Sequence, residues 1–232
     1  MNNTNNIAER IVKELNVDTA FTIPIFGGID IAESVAVTWV VMAILVLVSI
    51  WLTHDLKVDH ISKRQAAAEA IVTGLQKFST DILGPKGKPY AEYLSTILMY
   101  IGLANIIGLL GMKSPTKDLN VTAALAIMSI VLVEAAGIRA KGVGGWAKSF
   151  AQPVAVIAPI NIMEIFIRPL SLCMRLFGNV LGSFVIMELI EMFVPVGVPV
   201  IFSLYFDIFD GFIQAYVFVF LTGLFIREAV ED

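Results

Sequence analysis

Glu164, Arg168, Ser171, Arg175 and Asn179 are spaced 4, 3, 4 and 4 apart in a segment that is otherwise largely apolar. On an α-helix that spacing collects them on one face, a polar stripe about 22 Å long. Ser183 extends the stripe by a turn, and Glu188 and Glu191 follow. Further on, Asp207, Asp210 and Gln214 fall at 0, +3 and +7, again one helical face, with Thr222 roughly continuing it. Rows of carboxylates, amides and hydroxyls suit the passage of a small cation or a proton, and ionisable residues inside an apolar span usually line such a route. Arg175 is a different case. A guanidinium keeps its charge in proteins, and placing it mid-bilayer costs about 3 kcal/mol on insertion scales and roughly 10 or more for an isolated helix. Glu164 can pair with Arg168 at i,i+4. The same-face neighbours of Arg175 are the neutral Ser171 and Asn179, and no carboxylate of the chain is evident at its depth. Its countercharge is expected from another polypeptide.

The elements that hold these residues follow from composition. Of 232 residues, 57% are hydrophobic and only 16% charged, with a mean hydropathy of +0.82. Soluble domains are nearer a quarter charged, so the chain is read as a membrane protein. A bilayer accepts only helices or closed barrels, and the long unbroken apolar runs do not fit the short alternating segments of a barrel. Spans need about 20 apolar residues and are predicted at 34–53, 93–111, 119–138 and within 198–226. The segment from about 159 to 193 would be about 52 Å long as one helix, against about 30 Å of hydrocarbon. It must tilt or start outside the bilayer. The predicted fold is an all-α integral membrane protein with five transmembrane helices. The last two form a long tilted hairpin over 159–227, joined by the turn VPVGVP.

The remaining segments are assigned by charge and pattern. With the N-terminus outside, inner loops and tail carry ten Lys and Arg and the outer side four, which favours that orientation. This makes 1–33 extracytoplasmic, 54–92 and 139–158 cytoplasmic loops around the helix pair 93–138, and 228–232 a cytoplasmic tail. Within 54–92, Ile71, Leu75, Phe78 and Ile82 recur at helical spacing. They predict an amphipathic helix, either on the inner membrane surface or packed on the protein itself. KGVGGWAK lacks the Gly-Lys-Ser/Thr ending and preceding strand of a phosphate loop and is read as a flexible turn. The one cysteine, Cys173, lies in an apolar run and is read as a packing residue. The N-terminus has no apolar core behind a basic flank, so no cleavable signal peptide is expected. A net charge of −4 gives no reason to expect nucleic acid as a partner, and no cofactor or metal site is expected.

RPLSLCMRLFGNVLG resembles the signature of subunit a of F-type ATP synthases in bacteria: a basic residue and Pro, a Ser two positions on, then Arg-Leu-Phe-Gly-Asn. SPTKDLNVTAALA, LANIIGLLG and IQAYVF resemble three further stretches of that family in the same order, so the likeness covers about 93 to 226. The resemblance implies a non-catalytic stator subunit in the cell membrane, beside a rotating ring of c subunits, the b subunits of a peripheral stalk and, indirectly, the catalytic head. By position, Arg175 matches the family's essential arginine, Asn179 the asparagine one turn on, and Gln214 the final-helix glutamine facing it. Asp207 falls where members carry a His or Glu in the outer half-channel. Phe184 falls where many carry its carboxylate or imidazole partner, so Ser183, Glu188 or Asp210 is expected to substitute. Ion translocation is thus expected from Arg175, Asn179, Gln214, Asp207, Asp210, Ser183, Glu188 and Glu164. The competing class is a stand-alone channel or secondary transporter. Such proteins often contain paired repeats, and none is visible here.

Overall fold

The computed structural model describes residues 19–23, 29–58, 61–110, 112–150, 155–194 and 197–231. Where hydrocarbon surrounds the chain, each backbone N–H and C=O must be satisfied within its own segment, and helices dominate accordingly. The chain opens on a short antiparallel hairpin, β1 (Thr19–Ile23) and β2 (Ile29–Ala32). It leads directly into α1 (Glu33–Thr53) and is a small exception to an all-helical expectation. Residues 1–18 of the predicted extracytoplasmic segment lie outside the described residues.

α1 buries only Ser34, Val37 and Val41 and exposes Trp39, Leu47, Ile50 and Trp51, as a helix at the protein's margin in lipid would. α2 (Lys63–Gly87) starts at a Ser62 cap, whose hydroxyl accepts the Gln65 amide at 3.2 Å, and breaks at Gly84. Its two halves divide the alternatives left open for the amphipathic helix. The first half exposes Ile71 and Val72; the second buries Ser79, Ile82 and Leu83 inside the protein. α3 (Ala91–Ile106) continues into a 3-10 turn, Ile107–Leu110.

α4 (Leu119–Ser149) runs well past the predicted end near residue 138. The stretch read as a flexible loop is helical on both sides of a break at Gly142, whose φ of 72° suits a residue without a Cβ. The break lets the indole N–H of Trp146 donate to Glu134 Oε2 at 2.7 Å, which holds the second piece against the first. α5 (Ala158–Phe193) follows as one helix of 36 residues, about 54 Å long. The return arm is divided. Gly197, at φ 87°, precedes α6 (Val198–Leu204). A π-helical segment, Tyr205–Asp210, then leads into α7 (Gly211–Glu231). Four helices, Glu33–Thr53, Leu119–Ser149, Ala158–Phe193 and Ile201–Glu231, are long and apolar enough to cross a membrane. α3 with its 3-10 turn reaches roughly 32 Å, enough for the fifth predicted crossing.

α4 is the shared support of the two hairpin arms: α5 and α7 both pack along it, while the arms touch each other only briefly. α7 is the most enclosed element, wedged among α2, α3 and α4 with Ala215, Phe218, Val219 and Ile226 buried. At Gly223 a Cβ would lie 2.6 Å from Ile82 Cγ2 and 2.8 Å from Leu94 Cδ2. In lipid, helices associate through close packing rather than hydrophobic exclusion, and small residues at interfaces permit it. Gly223→Val should therefore overpack this junction and cost about 1–3 kcal/mol. Gly74→Ala, at a position with nothing within 4 Å, should stabilise α2 by about 0.5–1 kcal/mol. Thermal unfolding of the purified complex in detergent, read for this subunit, checks both. An unchanged midpoint for Gly223→Val would contradict the close approach.

Candidate functional site

The polar stripe of α5 runs along the boundary between its buried and exposed faces. Leu172, Cys173 and Leu176 are buried, and Met163, Phe166, Leu170 and Met174 are exposed. Glu164, Arg168, Arg175, Asn179 and Ser183 are all half-buried, and Ser171 is exposed. The helix thus offers its polar groups at the edge of the protein rather than in its centre. Arg175 makes no hydrogen bond or ion pair with any described residue. Two glycines of the same helix, Gly178 and Gly182, sit at +3 and +7 from it, and a Cβ on either would meet nothing within 4 Å. Open space therefore lies beside this part of α5.

Arg168, two turns before Arg175, is fully engaged. Its Nη2 donates to Glu164 Oε2 at 2.5 Å and to Glu228 Oε1 at 2.8 Å, and its guanidinium lies 4.9 Å from the Phe225 ring centroid. The i,i+4 pair expected from spacing is present, and α7 supplies a second carboxylate that spacing on α5 does not show. Glu228 stands 14 residues after Gln214, close to four helical turns. Extending the Gln214 face toward the C-terminus would have found it.

Two cavities flank this region. The first, about 470 Å³, lies at the C-terminal end of α7 and is lined by Glu134, Lys141, Asn161, Glu164, Arg168 and Glu228, among others. The second, about 200 Å³, lies toward the hairpin turn and is lined by residues including Lys117, Ser183, Phe184, Asp210 and Gln214. Arg175 lines neither; along α5 it falls between Arg168 in the first cavity and Val180 in the second. Of the predicted site residues, Glu164 belongs to the first cavity, and Ser183, Asp210 and Gln214 meet in the second. Glu188 and Asn179 line neither. The backbone of Asp207 lies in the π-helical segment, and its side chain is outside the described residues.

A polar network fixes the second cavity. Asn105 Nδ2 donates to the Gly211 carbonyl at 3.0 Å, and Asn105 Oδ1 accepts from Thr116 Oγ1 at 2.8 Å. Ser114 Oγ donates to the Ala104 carbonyl at 2.8 Å and lies 2.8 Å from Thr116 Oγ1. Gly211 is needed here, since a Cβ would lie 2.9 Å from Asn105 Cβ. The π-helical segment therefore ends where α7 is pinned to α3. π-turns are rare and frequent at functional sites. Asp210 and Gln214, two members of the face that helical spacing predicts, line the second cavity together. Asp118 anchors the same corner, capping the Asn120 amide at 2.8 Å and accepting from Ser34 Oγ at 2.5 Å. Asn105, Ser114, Thr116 and Asp118 were visible in the sequence only as parts of LANIIGLLG and SPTKDLN. Their role depends on pairings across the chain.

Residues 35–227 match the family described as ATP synthase A chain. The subunit a 2 of a Bradyrhizobium ATP synthase is 35% identical over 209 residues, covering 88% of this chain and 91% of the relative. ATP synthase subunit a of Moorella thermoacetica is 34% identical over 207 residues, covering 88% and 94%. The sodium-ion-specific subunit a of Propionigenium modestum is 31% identical over 221 residues, covering 88% and 76%. With four or more apolar helices of membrane-crossing length and a match over most of its length, the chain belongs to the ATP synthase A chain family, the non-catalytic, multi-pass membrane subunit a of the F-type ATP synthase.

Proposed function

We propose that the chain forms two offset half-paths for an ion and uses Arg175 to couple ion passage to rotation of a c-ring. The observation that carries this reading is the placement of Arg175: half-buried, without a countercharge among the described residues, and between two polar cavities on a helix face left open at Gly178 and Gly182. A cation so placed calls for a carboxylate on a neighbouring polypeptide, and open glycines allow a helix to come close. In this reading the N-terminus is outside and the C-terminus in the cytoplasm. The cavity by the hairpin turn opens outward and the cavity at Glu164 and Glu228 opens inward.

The mechanism follows from charge. An ion, a proton or a sodium ion, enters from outside past Asp207, Glu188, Ser183 and Asp210 and neutralises a ring carboxylate. Neutral, that subunit can turn into lipid without carrying bare charge, which the bilayer would penalise. Nearly a full turn later it meets Arg175. In a low-dielectric setting the guanidinium strongly favours the ionised carboxylate, and the ion leaves through the inner cavity past Glu164. The fixed cation also blocks direct flow between the half-paths. Each charge crossing 100 mV delivers about 2.3 kcal/mol to the turning ring. The b subunits and catalytic head hold the chain still against that torque. A stand-alone transporter would need a countercharge of its own for Arg175, and none is present among the described residues.

Arg175→Ala should abolish ATP-driven ion uptake into vesicles of the assembled complex while ring and stalk subunits still co-purify. Arg175→Lys should fail as well, because an ammonium can lose its proton when desolvated. Normal uptake by Arg175→Ala would contradict the role. Asp207→Asn should slow uptake from the outer side and move its pH dependence, whereas an unchanged rate and profile would remove Asp207 from the route.

A further inference from the structure

Arg168 and Arg175 lie on one stripe of α5, about 10.5 Å apart along the helix, and both are half-buried. A free guanidinium at Arg168 would stand on the wall of the larger cavity and repel each cation passing there. The last turn of α7 shows how this is avoided. Phe225 and Glu228, three residues apart and so on one helical face, meet the guanidinium together. The ring centroid lies 4.9 Å from Cζ, and Glu228 Oε1 accepts from Nη2 at 2.8 Å. The same Nη2 donates to Glu164 Oε2. Arg168 is thus shared by two carboxylates, and Glu164 Oε1 has no hydrogen-bond partner among the described residues. Three acids, Glu134, Glu164 and Glu228, and two bases, Lys141 and Arg168, line this cavity. The wall carries one excess negative charge, and loss of Glu228 would remove it.

The turn that carries Glu228 is itself firmly placed. Ile226 and Val230 are buried. Ala229 packs on α4, where a Cβ at Gly137 would lie 3.5 Å from Ala229 Cβ. Arg227 and Glu231 pair at 2.9 Å beside the break in α2, where a Cβ at Gly84 would lie 2.9 Å from Glu231 Oε1. The turn therefore touches α2, α4 and, through Glu228, α5. We propose that Glu228 is a positioning residue of the inner half-path: with Phe225 it holds and neutralises Arg168, so that Glu164 stays available to the ion and Arg175 is the unpaired guanidinium of the stripe. The inference rests on the reading of this cavity as the inner half-path. Released from Glu228, Arg168 pairs one-to-one with Glu164 and occupies the acid the ion would use, or turns into the cavity as a bare cation. Either state slows the ion, and both vanish when the guanidinium is removed. A plain structural salt bridge behaves differently, since loss of either partner does the same harm.

The test is ATP-driven ion uptake into inverted vesicles of the assembled complex, with co-purification of ring and stalk subunits as the check on assembly. Glu228→Gln should lower the initial rate by about tenfold or more, the effect of one uncompensated cation beside the path. Arg168→Gln should keep roughly half of the rate or more, and the double variant Arg168→Gln/Glu228→Gln should recover the rate of Arg168→Gln. Added salt on the cytoplasmic face should restore part of the Glu228→Gln loss, because exposed charges are screened. Phe225→Leu, which keeps Glu228, should lower the rate less, and Arg168→Gln should relieve that loss too; this pair carries the test if Glu228→Gln does not assemble. An unchanged rate in Glu228→Gln, or equal losses in the two single Gln variants with no recovery in the double, would overturn the role of Glu228. Such results leave the coupling role standing, which fails separately if Arg175→Ala retains uptake.

Discussion

A charge that cannot be neutralised sits at the edge of an apolar protein, and the surrounding architecture makes sense as a way of holding it there. Arg168 shows the usual resolution of a buried guanidinium: two carboxylates and an aromatic ring surround it. Arg175, two turns along the same helix, receives none of these from the described residues. The difference cannot lie in helix chemistry, because both residues belong to one stripe on α5. It lies in what α4 and α7 place opposite each one. α7 brings Glu228 to Arg168 and brings no carboxylate to Arg175.

That asymmetry depends on rigidity away from the charge. Both arms of the hairpin pack more extensively on α4 than on each other, and two cavities lie along them. The Asn105–Gly211 bond and the close fit at Gly223 fix α7 against α3 and α2. The π-helical segment is the stretch that carries Asp207 and Asp210. Packing is tight where position matters and open where an ion or a neighbouring helix would pass.

Much of this is legible from periodicity. Long apolar runs announce the helices, and a polar stripe at 3.6-residue spacing announces the face of α5, because both signals are local. The pairing of Glu164 with Arg168 is local too. Glu228 is not: it lies 60 residues from Arg168, and only the fold brings it near. The π-helical segment is hidden for a similar reason, since it ends beside the Asn105–Gly211 bond, a pairing across the chain that YFDIFD does not announce. KGVGGWAK misleads because its glycines suggest a loop, whereas one break at Gly142 and the Trp146–Glu134 bond keep the chain helical to Ser149. The short β-hairpin before α1 carries too few residues for an alternating pattern to stand out.

Cross-linking tests the central claim most directly, because the claim is that the open face beside Arg175 is where a ring helix arrives. Cysteines would be placed singly at Gly178 and Gly182, with Cys173, buried on the opposite side, replaced by alanine. A partner cysteine would stand one turn from the ring carboxylate. Oxidation of the assembled complex should join the two subunits at both positions and stop rotation, and reduction should restore it. If neither position cross-links while a cysteine at Leu47 on the exposed face of α1 does, the ring lies against another side of the protein, and Arg175 does not meet its carboxylates.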